Sequence, residues 1–388
     1  GSERELEFLS PVLEHNKYND LLIFVLKTDK PEILEAIKQK FDGHKKLYLY
    51  KLNDISLSNY STINLEGTKQ SLIETYKHID RNKNLDNIKT LLFDLINVIK
   101  TSMSIYKFIE TINPSLIIGS FEKNILGAIF TEFNNKHSNV INLQHGVIPD
   151  CPSLDLVNFD KFVVWTDHDT AILDKSKYSP ENKIKISGNP IWQNIFKYKK
   201  SRQEIIDDNN INFVKPTDKI IVSFSQPSKW PFLTYRDKHI YMNVLLRYLN
   251  KKNNLKLIIK LHELENGSDI ERILSEHQTN KNILIVDHKD LSLLDTLKLA
   301  DVVSSISSTT LLDSIALNIP IIASNLTGVH QRAGVSLPKY IDIVSSESQF
   351  IEKMDGYLEN SISIKALNRE NFIFPESKSY NDRMNEIL

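Results

Sequence analysis

Between Ser304 and Thr310 the chain carries six hydroxyl side chains in seven positions: Ser304, Ser305, Ser307, Ser308, Thr309 and Thr310. One serine or threonine suffices to cap a helix, so this surplus points to a ligand with several acceptor oxygens, of which phosphate is the foremost. The surroundings fit that chemistry. Val302 and Val303 precede the cluster as the end of a strand expected over Ala300 to Val303. Leu311, Leu312, Ile315 and Ala316 follow at helical spacing, and Ile319 to Ala323 reads as a second strand. Strand, hydroxyl-rich turn, helix and strand place the turn at the carboxyl edge of a parallel sheet. Free N–H groups and the positive end of a helix dipole favour anions there.

Three further clusters also follow apolar runs: Gln144-His145-Gly146, Gly188-Asn189-Pro190 and Lys260-Leu261-His262-Glu263. Lys260 and His262 alternate with Ile259 and Leu261, so both are expected on one face, where a cation and an imidazole would neutralise phosphate charge. Lysine and histidine on a solvated edge is the plainer alternative. Ser225 and Gln226, after the strand Ile220 to Phe224, lie at the expected mouth of a cleft, as a phosphate grip or a simple loop. For proton abstraction the candidates are Glu122, His145 and Asp150, with Asp155 as a further rival. Glu122 would serve equally as a first-turn glutamate on a helix dipole, and His145 as a hydrogen-bonded histidine of the fold. Asp167-His168-Asp169 has the look of a D-x-D metal pair but more simply caps the helix after it, so no metal site is expected.

The elements that must hold these groups alternate. Strands are predicted at Leu21 to Leu26, Leu47 to Leu52, Ser115 to Gly119, Val140 to Leu143, Phe162 to Trp165 and Ile184 to Ser187. Helices fill Pro31 to Phe41, Lys69 to Ile79, Asn84 to Ile112 and Ile191 to about Asp208. Residues 207–217 then lose apolar periodicity and read as a linker. The pattern restarts with strands at Ile220 to Phe224, Leu255 to Leu261, Ile283 to Val286, Ala300 to Val303, Ile319 to Ala323 and Ile341 to Val344. Helices lie between them, at Tyr241 to Leu249, Ile270 to Glu276, Leu291 to Leu299 and Phe350 to Leu358. The reading is α/β, with two Rossmann-like doubly wound domains: residues 1–206 for the acceptor, linker 207–217, and residues 218–362 for an activated donor. Residues 363–388 form a terminal segment for which helix, packed back on the first domain, is the expected form.

Composition limits the alternatives. Lys plus Arg number 48 against 49 Asp plus Glu, so no net field draws nucleic acid. Cys151 is the single cysteine, which excludes an intramolecular disulfide framework. No apolar run approaches the roughly 18 residues of a membrane span. The cytoplasm is the default, with peripheral contact at the inner membrane left open. The chain starts Gly1-Ser2 without methionine, the look of a trimmed start, so an upstream segment is also left open. Walker, dinucleotide-fingerprint and H-E-x-x-H motifs are absent.

Taken in order, Gln144-His145-Gly146, Trp165, Ile186-Ser-Gly-Asn-Pro190, Lys260-Leu-His262 and Ser304 through Asp313 resemble GT-B fold glycosyltransferases of bacterial capsule and lipopolysaccharide assembly. The resemblance spans roughly residues 115–325. It implies a central cleft, a nucleotide-sugar donor as substrate with no separate cofactor, and a glycan or glycolipid acceptor. Partners among other polysaccharide-assembly proteins are left open. In the sialyltransferase, polysialyltransferase and Kdo-transferase-like members, a histidine of a His-Pro pair and a later Ser-Ser/Thr cluster hold a CMP-linked donor. The matching positions are His262 and Ser307, Ser308 and Thr309, with Thr310 beside them, and Glu263 stands where that pair has proline. Teichoic-acid-type transferases using CDP-polyols and UDP-GlcNAc 2-epimerases resemble the same layout. A non-catalytic nucleotide-sugar-binding subunit completes the alternatives.

Overall fold

The computed structural model describes residues 22–26, 35, 47–51, 102–103, 105–119, 138–144, 146–148, 159–173, 183–215, 217–228, 233–252, 254–277, 282–287, 289–360, 362 and 377–388. The helices expected at 31–41 and 69–79, most of that at 84–112, and the loop holding Asp150 and Asp155 lie outside these residues. So do Glu122 and His145.

Twelve strands are described, all in parallel ladders. β1 (Leu22–Leu26) pairs with β2 (Leu47–Lys51). β3 (Leu116–Gly119), β4 (Asn139–Leu143), β5 (Lys161–Val164) and β6 (Ile184–Ile186) lie side by side in chain order. The second half builds a six-stranded sheet from β7 (Lys219–Phe224), β8 (Leu255–Lys260), β9 (Ile283–Val286), β10 (Val302–Ser305), β11 (Ile321–Ser324) and β12 (Asp342–Val344). Its spatial order is β12-β11-β10-β7-β8-β9. Counted from β7, that is 6-5-4-1-2-3, the doubly wound arrangement whose direction of winding reverses between β7 and β10.

Both faces of this sheet are buried, which explains why its strands read as unbroken apolar runs rather than alternating ones. Ile220, Val222, Ile258, Val303, Ile321 and Ala323 face one core, while Ile221, Leu257, Ile259, Val302 and Ile322 face the other. The second core is closed by α4 (Tyr235–Leu249), α5 (Ser268–Ser275) and α9 (Glu347–Leu358). The first is closed by α2 (Pro190–Lys197), α3 (Arg202–Asp208), α6 (Leu293–Leu299) and α7 (Thr310–Ala316). That first core continues into the N-terminal half, where Ile141, Leu143, Val163 and Trp165 join it. Two further helices, α1 (Asp167–Leu173) and α8 (Val329–Ala333), stand after β5 and β11.

Several boundaries differ from the sequence reading, each for a local reason. The helix expected from Ile191 to Asp208 is two helices. Ser201 breaks it by accepting the Glu204 N–H while the Glu204 carboxylate accepts the Ser201 N–H, a complete capping box. The stretch after α3 packs against its neighbours. Ile211 and Val214 are buried, and Arg202 donates to the Asp218 carbonyl at 2.6 Å and pairs with Asp301 at 3.1 Å. β10 begins at Val302 and runs on through Ser304 and Ser305, so two of the six hydroxyls belong to the strand and not to the turn.

The chain ends in α10 (Tyr380–Ile387), opened by a Ser379–Asp382 capping box. Tyr380, Met384 and Ile387 enter the first core. The Arg383 guanidinium donates to the Ile186 carbonyl at 2.7 and 2.9 Å, and Lys161 donates to the Ile387 carbonyl. The last helix therefore seals β5, β6 and α2 of the first half.

Candidate functional site

The carboxyl ends of β10, β7 and β8 are neighbours, so the segments following them form one continuous rim at the winding reversal. Open α/β sheets bind ligands at such points because the two flanking connections leave in opposite directions and open a crevice. Ser305, Ser307, Ser308, Thr309 and Thr310 come from β10 and its turn, Ser225 and Gln226 from β7, and His262 from β8.

Within the rim the hydroxyls have divided duties. The Ser305 hydroxyl donates to the Phe224 carbonyl at 2.6 Å, tying β10 to β7. Ser304 is buried in β10 beside Tyr241, whose hydroxyl also meets Ser223 Oγ at 3.0 Å. Ser308 Oγ lies 2.7 Å from Thr310 Oγ1 and accepts the Thr310 N–H at 3.3 Å, shaping the entry to α7. Ser307 donates its N–H to Gln226 Oε1 at 2.9 Å, so the turn after β10 is locked to the turn after β7. The turn is also held from beneath, where buried His330 of α8 bonds through Nε2 to the Ile306 carbonyl at 2.7 Å. Burial holds the His330 imidazole below its ordinary pKa, which favours the neutral ring donating Nε2–H to that carbonyl.

The loop after β4 comes close to this turn at Gly146. A Cβ built on Gly146 would sit 3.5 Å from Thr309 Oγ1, an ordinary contact, so the two halves come close at the hydroxyl turn. Gln144 fixes that loop. Its amide donates to the Gly146 carbonyl at 2.9 Å and to Asp169 at 3.0 Å, while its Oε1 accepts the Trp165 N–H at 2.7 Å. Asp169 in turn accepts from the Thr166 N–H and hydroxyl at the head of α1, and burial raises its pKa. The D-x-D look thus resolves into a cap and a brace. Among the described residues no three His, Cys, Asp or Glu side chains converge as a metal-holding group.

Gly188 sits at φ +77°, a backbone region that glycine enters freely, and Asn189 caps α2 through the Ile191 N–H at 2.9 Å. This sharp turn aims α2 at the second half. There Trp192 is fully buried, meets Trp165 edge to face at 5.7 Å, and donates its indole N–H to Asp313 of α7 at 2.9 Å. The helix that follows the hydroxyl turn is therefore fastened to the first half. Neither Trp192 nor Asp313 was singled out from the sequence as a contact, because their partnership spans 121 residues.

Lys260 and His262 have different partners. Lys260 is buried and its ammonium donates to the Asp287 carbonyl at 2.6 Å and to the Leu291 carbonyl, tying down the turn at 287–291. That turn is itself closed, with Asp287 accepting from the Lys289 and Asp290 N–H groups. His262 lies past the strand end, half-buried, with Nδ1 accepting the Leu264 N–H at 3.1 Å. The imidazole then carries its proton on Nε2 when neutral.

Burial pushes the Lys260 ammonium down to about 8, against the pull of the Asp287, Asp290 and Asp295 carboxylates. Between about pH 8 and the ordinary lysine value the unfolded chain binds more protons than the folded one, so Lys260 adds stability as pH rises through that window. The expected result is that the urea midpoint of the wild type, compared with Lys260→Met, improves from pH 7.5 to pH 9.5. An unchanged difference would place the ammonium in a far wetter setting.

Set against solved structures, the whole chain aligns. A glycosyltransferase from Rickettsia africae matches with a TM-score of 0.59 at 12% identity, over 99% of this chain and 92% of that one. A putative UDP-N-acetylglucosamine 2-epimerase from Listeria monocytogenes gives 0.60 at 11%, over 100% and 93%. The Neisseria meningitidis UDP-GlcNAc 2-epimerase, solved with UDP-GlcNAc bound, gives 0.59 at 14%, over 99% and 96%. This is the GT-B fold. At such identities the likeness speaks for architecture alone. No family model and no curated protein sequence matches the chain.

Proposed function

We propose that the protein is a glycosyltransferase that binds a nucleotide-sugar at the winding reversal of its second half. The observation that carries the reading is the joined rim of Gln226 and Ser307 to Thr309 between β7 and β10, with Gly146 of the other half so near that a Cβ there would touch Thr309. Ser307, Ser308, Thr309 and Thr310 would meet the phosphates, with Ser225 and Gln226 alongside and His262 donating from Nε2–H. Lys260 would contribute through the 287–291 turn that it ties down. The first half would carry the acceptor, with Glu122, His145 or Asp150 as the base that takes the hydroxyl proton. The reaction moves the glycosyl group from the nucleotide to that hydroxyl, and the nucleotide leaves with the bonding electrons.

The sequence resemblance favours a CMP-linked ulosonic acid, such as Kdo or sialic acid, as donor and a bacterial surface polysaccharide or lipopolysaccharide as acceptor. It also supports action without a metal ion, in the cytoplasm or at the inner membrane's inner face. Among the described residues no helix is long and apolar enough to cross a membrane. A thermal-shift panel of CMP, CDP, UDP, GDP and dTDP tests the reading, because a ligand of the folded state raises Tm. CMP is expected to give the largest rise, and a panel without any rise would refute nucleotide binding.

An epimerase acting on the same class of donor is the second reading, favoured by the fold shared with the Listeria and Neisseria epimerase structures. An epimerase needs no acceptor. Conversion of UDP-GlcNAc by the protein alone would establish it, whereas strict dependence on an added glycan would favour transfer.

A further inference from the structure

The loop after β8 is organised around a carboxylate that the sequence reading passed over. Glu265 Oε1 accepts from Ser225 Oγ at 2.9 Å and from the Lys238 ammonium at 2.6 Å, while Oε2 accepts the His262 N–H at 3.0 Å. The Glu265 N–H returns to the His262 carbonyl at 2.8 Å, closing the 262–265 turn twice. Lys238 comes from α4 on the sheet's other core and its side chain is 3% exposed, against 6% for Glu265. An ion pair so dry persists only when its remaining bonding capacity is filled, as it is here by Ser225, by His262 and, on the Lys238 side, by Asp269 at 3.1 Å. Asp269 is the more open member and also accepts from Ser228 Oγ at 2.9 Å. One carboxylate therefore fixes the segments leaving two adjacent strands, β7 and β8, on the rim already described.

We propose that Glu265 is a positioning residue for nucleotide phosphates, holding the His262 imidazole and the Ser225 hydroxyl in register with the turn after β10. The proposal rests on the nucleotide-binding reading of that rim. Two features separate it from simple loop stabilisation. The bond from Glu265 is to the main chain of His262, whose ring is oriented by Leu264 of the same turn, so the carboxylate sets where Nε2–H points. Lys238 is shared with Asp269 at 3.1 Å but lies closer to Glu265, at 2.6 Å, so the carboxylate that touches the rim is the one offset at shortest range.

The experiment measures Kd by titration calorimetry with whichever of CMP, CDP, UDP, GDP and dTDP binds tightest, using the full chain. Wild type, Glu265→Gln, His262→Ala and the double variant form a cycle. The glutamine variant keeps the shape but sets an amide against the His262 N–H, and its Kd is expected to rise about tenfold. In the double variant the loss should fall well short of the product of the single losses, because Glu265 acts through His262. A wild-type Kd in Glu265→Gln, or fully multiplicative losses, overturns the proposal while leaving the site reading intact. A wild-type Kd in His262→Ala removes the site reading itself. Should the glutamine variant not fold, Glu265→Asp keeps the charge opposite Lys238 but shortens its reach to His262. Its Kd is expected to rise several-fold, and a wild-type value there is equally fatal.

Discussion

His262→Ala is expected to slow turnover of the proposed transfer reaction about a hundredfold while the protein still folds. The ring is half-buried at the end of β8, so removing it empties little of the core. What is lost is the donor proposed at Nε2, since Nδ1 is already committed to the Leu264 N–H. A preorganised donor to the charge that develops on a leaving phosphate is worth about 2.7–4 kcal/mol, or a factor of 10² to 10³. Steady-state kinetics with donor and acceptor varied in turn provide the measurement, with thermal melting as the control for folding. Turnover at the wild-type rate would sink the assignment of His262 to the reacting end of the donor.

Trp192→Ala is expected to be the most damaging single change to stability described here. Emptying a fully buried tryptophan site costs roughly 3–5 kcal/mol through lost transfer energy and the cavity left behind. The change also strips the Asp313 carboxylate of its indole donor and Trp165 of its edge-to-face partner. Total stabilities of about 5–15 kcal/mol are usual, so the variant should unfold early in urea or accumulate poorly. Trp192→Phe separates the two contributions. It keeps most of the packing and loses the hydrogen bond, so its midpoint should fall between wild type and Trp192→Ala. Equal midpoints for the phenylalanine variant and the wild type would show the bond to Asp313 to be of no consequence.

How far the sequence revealed this arrangement depends on the range of the interaction concerned. The central strands β7, β8, β10 and β11 coincide with apolar runs, because burial on both faces leaves little alternation to misread. The placement of Ser225, His262 and Ser307 at one edge of a sheet was legible for the same reason, since each follows such a run. Strand order was not. Nothing in the residues of β7 and β10 says that they are neighbours, and so the winding reversal between them appears only in the fold. The hydroxyl cluster stands out in the sequence, yet Ser305 and Ser308 spend part of their bonding capacity on the fold. Ser201-Arg-Gln-Glu204 carried a capping-box signature that went unused, because Ile205 and Ile206 prolonged the apolar pattern across the break. Glu265 had a local signal too, three residues after His262, but its meaning depends on Lys238 from a different helix.

The docking of α10 on Ile186 and Lys161 has a consequence for how the molecule is made. Ribosomal synthesis at about 5–20 residues per second puts residue 380 roughly 10–40 seconds behind residue 186. Through that interval the nascent N-terminal lobe waits with a sticky flank uncovered, a target for chaperones and for self-association. A stop codon shortly before Tyr380 would leave every rim residue translated and still forfeit the clasp that completes the lobe opposite.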